Sequence, residues 1–223
     1  CKSSSIRATA NLVVAIAEAD MKFSISVLLG LASLAVVLAA PVTEPRAACA
    51  DVIVFFARGT TEAAPIGSLV GPQLESALQG LLGSKTLAFN GVTYAASVAG
   101  FLEGGDPQGS QNMANDAIDQ RGELVPERTF AALVTSGYSQ GGQLVHNSAK
   151  LLSAKVQARI NAAVIFGDPD DGSPVVGVSA SKTLVICHTG DDICLHGDLV
   201  LPPHLCDLRV DTPTAAAFIV SKV

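Results

Sequence analysis

Hydrophobic and polar positions change period repeatedly along this chain. Residues 52–56, Val-Ile-Val-Phe-Phe, are a continuous run of β-branched and aromatic side chains closed by Arg58-Gly59-Thr60. Such a run predicts a strand buried on both faces, as in a parallel sheet. Over 68–82 the apolar positions Leu69, Val70, Leu74, Leu78, Leu81 and Leu82 recur at helical spacing, with Gly83 as a stop. A second strand is predicted at 91–96, a loop at the Gly- and Pro-rich 104–110, and a helix over 111–124. Residues 130–135 read as a strand. Residues 142–156 read as a helix, with Leu144, Val145, Leu151 and Leu152 apolar. Further strands at 162–166 and 183–187 end at Gly167-Asp168-Pro169 and Thr189-Gly190-Asp191, and 214–220 is a terminal helix. The Gly-, Ser-, Pro- and Asp-rich stretch 169–181 is a loop. Strands alternating with helices place the chain in the α/β class, with a mostly parallel central sheet in one domain.

The amino-terminal pattern is different. Met21-Lys22 precedes an apolar run over 24–40 that ends in Ala39-Ala40 and is followed by Pro41. A charged start, an apolar stretch and a small-residue end predict a secretion signal over 21–40. The run is short for a membrane anchor and no basic cluster follows it, so no integral membrane association is expected of the mature form. Residues 1–20 read as an upstream extension, 41–48 as a lead-in or propeptide with Arg46 a processing site, and 49–223 as the folded domain.

Composition narrows the partners. Apolar residues make up 49% of the 223 positions and charged ones 15%, which excludes a disordered chain. A net charge of −6 with scattered basic residues argues against nucleic acid. Of the cysteines Cys1, Cys49, Cys187, Cys194 and Cys206, the pair Cys187 and Cys194 closes a short loop and is the first choice for a disulfide in an oxidising compartment. Spacing leaves Cys49 and Cys206 open. No zinc motif is present, and Asp168, Asp170 and Asp171 read as loop carboxylates without a full calcium pattern. No metal or cofactor is expected.

The densest chemical signal is Gly137-Tyr138-Ser139-Gln140-Gly141-Gly142, between a predicted strand and a predicted helix. A sharp strand-to-helix turn excludes side chains at its flanks and presents a serine above the sheet, the context of a nucleophile elbow. A serine hydroxyl needs a base, and the base an orienting carboxylate. His188, His196 and His204 follow Ser139 as candidates, with Asp168 and Asp191 at strand ends; His146, two helical turns on, reads as solvent-facing, as does His196. Spacing alone leaves several combinations open. A phosphate-binding or merely tight turn is the bland alternative, although the dinucleotide-binding glycine spacing is absent.

From about Cys49 onward the chain resembles the fungal cutinases, serine esterases of the α/β-hydrolase fold. Four blocks carry the resemblance: Phe56-Ala57-Arg58-Gly59-Thr60-Thr61-Glu62, the turn at Ser139, Cys187-His188-Thr189-Gly190-Asp191-Asp192-Ile193-Cys194, and Pro203-His204-Leu205. It implies a three-layer α/β/α domain without a large lid, acting as a monomer on an insoluble polyester or lipid-like ester. It implies Ser139 as nucleophile, His204 as base and acid, and Asp191 rather than Asp192 as orienter. It further implies an oxyanion hole of the Thr60 and Gln140 backbone N–H groups, with the Thr60 hydroxyl a third donor, and a Cys187–Cys194 bridge around the Asp191 turn. Val200 and Leu205 would be apolar cleft walls, with some of Leu199, Val200 and Leu201 falling in the core. His188 would be a hydrogen-bonding loop residue. The family's second disulfide is not matched: Arg128 stands where the partner of Cys49 belongs, the segment 121–128 is unlike the family, and Cys206 is unusual. Loss of that bridge would cost roughly 2–5 kcal/mol. Acetylxylan esterase and a catalytically silent, secreted surface protein are the competing functions.

Overall fold

In the computed structural model, which describes residues 50–119, 131–205 and 208–223, the apolar run after Asp51 is the strand β1 (Val52–Ala57). The expectations for residues 1–49, for the 121–128 segment and for Cys206 lie outside the described residues. Every residue of β1 is buried, and its side chains alternate between two cores. Val52, Val54 and Phe56 face one side; Ile53, Phe55 and Ala57 face the other. That period of two is why a doubly covered strand reads as an unbroken apolar run.

Four further strands join it: β2 (Leu87–Gly91), β3 (Ala132–Tyr138), β4 (Ile160–Phe166) and β5 (Thr183–Ile186). All pairings are parallel, in the order β2-β1-β3-β4-β5. Helices α1 (Gly71–Leu81) and α6 (Leu208–Val220) cover one face, through Leu74, Leu78, Ala215, Ala216 and Ile219. Helices α3 (Pro107–Asp119) and α4 (Gln140–Leu151) cover the other, through Met113, Ala114, Ala117, Leu144, Val145 and Ala149. Short helix α2 (Val98–Leu102) precedes α3, and short helix α5 (Ala154–Gln157) follows α4. The result is the expected three-layer α/β/α domain.

Several predicted boundaries move. The strand expected at 91–96 is instead Leu87–Gly91; residues 92–96 form the connection beyond it. The loop expected through 110 ends at Pro107, because Asp106 Oδ1 accepts from Gly109 N at 2.6 Å and Pro107 takes the first helical position. The helix expected over 142–156 is two helices, parted at Leu152-Ser153. Leu199, Val200 and Leu201 are exposed, so the expectation that some of them belong to the core fails; that segment has no sheet face to alternate into.

Parallel strands send all their carboxyl ends to one edge. The chain leaves β1 toward β2 on one side and later returns to β3 on the other, so a topological switch lies between β1 and β3. In open parallel sheets the crevice beyond such a switch is the usual site of ligand binding.

Candidate active site

Ser139 follows β3 and opens α4 with φ 55° and ψ −121°, a conformation that a non-glycine residue seldom adopts. Its neighbours permit this turn. A Cβ on Gly137 would sit 2.2 Å from Gly141 O, and one on Gly141 would sit 2.0 Å from Ala57 O. The turn is anchored by Ser139 N donating to Phe166 O at the end of β4 (2.9 Å) and Gly142 N donating to Ser139 O (2.7 Å). Strain held by surrounding contacts in this way sets a largely buried serine on the cleft lining at the start of a helix, where the helix dipole favours negative charge.

His204 Nδ1 lies 2.9 and 3.0 Å from the two Asp191 carboxylate oxygens, and both residues are buried. Asp191 Oδ1 also accepts from Ile193 N at 3.0 Å, which fixes the carboxylate plane. The neighbouring Asp192 instead accepts from Leu199 N (2.9 Å) and faces away from the imidazole's partner position. Cys187 and Cys194 are bonded, with Cα atoms 6.1 Å apart, and they close the turn bearing Asp191. His204 Nε2 is buried and has no hydrogen-bond partner among the described residues. Catalytic hydrogen bonds to a serine often tighten only when substrate is bound.

Two contacts around His204 were not read from sequence. The Tyr138 ring stacks on the imidazole with centroids 5.1 Å apart, and its hydroxyl donates to His204 O at 3.2 Å. Burial pushes the Tyr138 phenol well above the usual tyrosine range, with the Glu62 and Asp191 charges adding to the shift. The backbone of Gly167 is also against the ring: a Cβ there would meet His204 Cε1 at 2.5 Å. The available signals were a tyrosine beside the nucleophile and a glycine directly after β4.

Thr60 stands at the end of the turn after β1. Gln140 Nε2 donates to Thr60 Oγ1 (3.2 Å) and to Ser97 O (2.6 Å), so the glutamine side chain ties that turn to α4. The turn has its own scaffold. Arg58, buried under it, donates to Glu62 O and Tyr94 O (2.7 and 2.8 Å), and Tyr94 OH donates to Arg58 O. The Glu62 carboxylate accepts from Gly59 N, Ser68 N and Leu69 N. The sequence singled out this block as a motif but not why it needs Arg58 and Glu62.

Ser139, His204 and Thr60 open on one cleft of about 480 Å³, which Leu69, Val98, Phe101, Val200 and Leu205 line with apolar surface. Val98, Leu199, Val200 and Leu205 are each about half or more exposed, and so present an apolar rim. The remaining histidines sort differently. His188 is bonded to Asp211 (2.8 Å), and exposed His196 rests Nδ1 on Pro169 O (2.8 Å). His146 does not face solvent: it is 2% exposed and its Nε2 is 2.9 Å from Asp168 Oδ2. Asp168 is likewise fully buried at the end of β4 rather than a free loop carboxylate. Among the described residues no cluster of His, Cys, Asp or Glu could hold a metal, and no helix is long and apolar enough to cross a membrane.

Comparison with known proteins agrees with this geometry. The cutinase family model matches residues 48–223, a range that holds all the described residues. The chain belongs to the cutinase family. A cutinase of Botryotinia fuckeliana is 54% identical over 184 residues, covering 82% of this chain and 89% of that protein. A Trichoderma reesei cutinase solved with a phosphonate inhibitor superposes with a TM-score of 0.72 at 47% identity, covering 78% of this chain and 76% of that one. The catalytic core of an acetylxylan esterase from the same organism shares the fold at 21% identity, with a TM-score of 0.60 over 79% of this chain and all of that one.

Proposed function

We propose that this protein is a secreted serine esterase that hydrolyses cutin, a polyester of hydroxy fatty acids, through Ser139, His204 and Asp191. The buried His204–Asp191 pair opening on the same cleft as a strained, helix-capping Ser139 carries the reading. His204 Nε2 takes the Ser139 Oγ proton as the oxygen attacks the ester carbonyl. Asp191 holds the imidazole with Nδ1 protonated and stabilises the imidazolium. The Thr60 and Gln140 N–H groups receive the developing oxyanion. Because Gln140 Nε2 already donates to Thr60 Oγ1, the hydroxyl's own proton is free to be the third donor. Collapse of the intermediate breaks the ester bond, and His204 protonates the departing alcohol. Water, deprotonated by the same imidazole, then attacks the acyl-Ser139 ester; the acyl–Oγ bond breaks, His204 returns the proton to Ser139 Oγ, and the carboxylic acid leaves.

Secretion is supported by the apolar run preceding the domain and by its disulfide. The apolar rim and cleft walls favour acyl chains over a sugar polymer. The test is hydrolysis of p-nitrophenyl butyrate, p-nitrophenyl palmitate, cutin and acetylxylan by the domain and by Ser139→Ala. Release of cutin monomers and butyrate, abolished by Ser139→Ala, is expected. Cleavage of acetylxylan alone would replace the substrate assignment, and a folded protein inert on every ester would end the enzymatic one.

A further inference from the structure

Beyond the triad, the domain contains a second fully buried histidine–aspartate pair, His146–Asp168, at 2.9 Å. His146 is on α4, the helix that Ser139 opens, and Asp168 follows β4. Asp168 uses both oxygens: Oδ2 faces His146, and Oδ1 accepts from Asp170 N at 3.0 Å. Burying such a pair away from water is costly unless its hydrogen bonds are made, so these two side chains fix the backbone that carries them.

That backbone is the floor of the site. Phe166 O accepts from Ser139 N, Gly167 N donates to Ile186 O, and Pro169 O receives His196 Nδ1. Between these anchors Gly167, at φ 55°, lies directly against the His204 imidazole and within reach of Asp191 Oδ2, where even a methyl group would collide. With Tyr138 stacked at 5.1 Å, the imidazole has close packing that leaves its position no slack.

We infer that His146 and Asp168 are positioning residues for ester hydrolysis: they pin the turn at 166–170 to the nucleophile's own helix, and so hold Gly167 at the height that places His204 Nε2 relative to Ser139. The inference rests on the triad reading above. Neither residue touches substrate. A small misplacement of reacting groups lowers the rate of chemistry more than it weakens binding.

The test compares His146→Leu, His146→Gln and Asp168→Asn with the parent domain on p-nitrophenyl butyrate. Rates are taken per active site, with sites counted by stoichiometric phosphonate labelling. Leu74→Ala, a core truncation on the opposite face of the sheet, controls for lost stability. Expected is a kcat lower by about tenfold to a hundredfold in His146→Leu and Asp168→Asn, with KM within about twofold. His146→Gln, whose amide can still donate to Asp168, recovers most of the rate. If His146→Leu fails to fold, Asp168→Asn and His146→Gln carry the same comparison. Per-site kcat equal to the parent in the folded variants, with only melting temperature reduced as in Leu74→Ala, overturns the inference. An inactive parent domain would instead overturn the triad reading itself.

Discussion

At the scale of the residue, two adjacent carboxylates have opposite assignments. Asp191 faces the imidazole with both oxygens, while Asp192 braces Leu199 N. Asp191→Asn presents an amide N–H where an acceptor is needed and should lower kcat on p-nitrophenyl butyrate by about 10⁴. Asp192→Asn keeps an acceptor oxygen and should leave kcat within about threefold; a larger loss at 192 would reverse the assignment. Gly141 is fixed by space. Its missing Cβ is where Ala57 O sits, so Gly141→Ala should force α4 off β1 and cost about 1–3 kcal/mol of stability, measured by urea unfolding. The glycine-flanked Ser139 turn was legible in the sequence itself, whereas the choice of Asp191 over Asp192 came from the resemblance to the cutinases, since spacing left several combinations open. His146 was not legible. Helix α4 is buried along nearly its whole length, between the sheet, α3 and α2, so the rule that places one face in water fails there. A histidine seven residues beyond the serine then reads as exposed when it is interior.

At the scale of the element, the turn from β5 is held at both ends. The Cys187–Cys194 bond closes it, and His188 within it binds Asp211 of α6, the helix that follows the His204 turn. Closing so short a loop is worth roughly 2–3 kcal/mol through the unfolded chain. Cys187→Ser with Cys194→Ser should therefore lower the unfolding free energy, measured by urea denaturation, by about that amount. It should also reduce kcat further than His188→Gln does, since the bond frames Asp191 directly; equal or greater loss in His188→Gln would contradict this. Boundaries were the part the sequence misplaced. Strand β2 is an edge strand with no buried residue and with Asn90 exposed, so Leu87–Gly91 lacks the apolar run that marked β1. The start of α3 was hidden in a Gly- and Pro-rich stretch whose Asp106-Pro107 is a cap and first turn.

At the scale of the molecule, four non-glycine residues among those described have positive φ, and two of them line the cleft. The four are Thr61 and Ser139 on its lining, Ala96 bonded through its carbonyl to Thr61 N, and His196 on the segment between Asp191 and His204. Strain on the cleft lining marks a site that the rest of the fold holds in place. Tyr94 and Tyr138, both with phenols raised by burial, add a pH limit. In the unfolded chain each ionises near pH 10, whereas in the fold each stays protonated well beyond it. Their contribution is present below that value and is lost as pH rises above it. Thermal unfolding should show a falling melting temperature from about pH 10 upward, a fall made shallower in Tyr138→Phe. An unchanged slope would remove Tyr138 from that account.

The central claim is that Ser139 is the nucleophile activated by His204 and Asp191. Its most direct measurement is mass spectrometry of the domain after reaction with an alkyl p-nitrophenyl phosphonate, read beside turnover of p-nitrophenyl butyrate. One adduct per chain, on the peptide holding Ser139, with parallel loss of turnover and no adduct in Ser139→Ala or slow labelling in His204→Ala, is the predicted result. Turnover that survives labelling, or persists in Ser139→Ala, would contradict it.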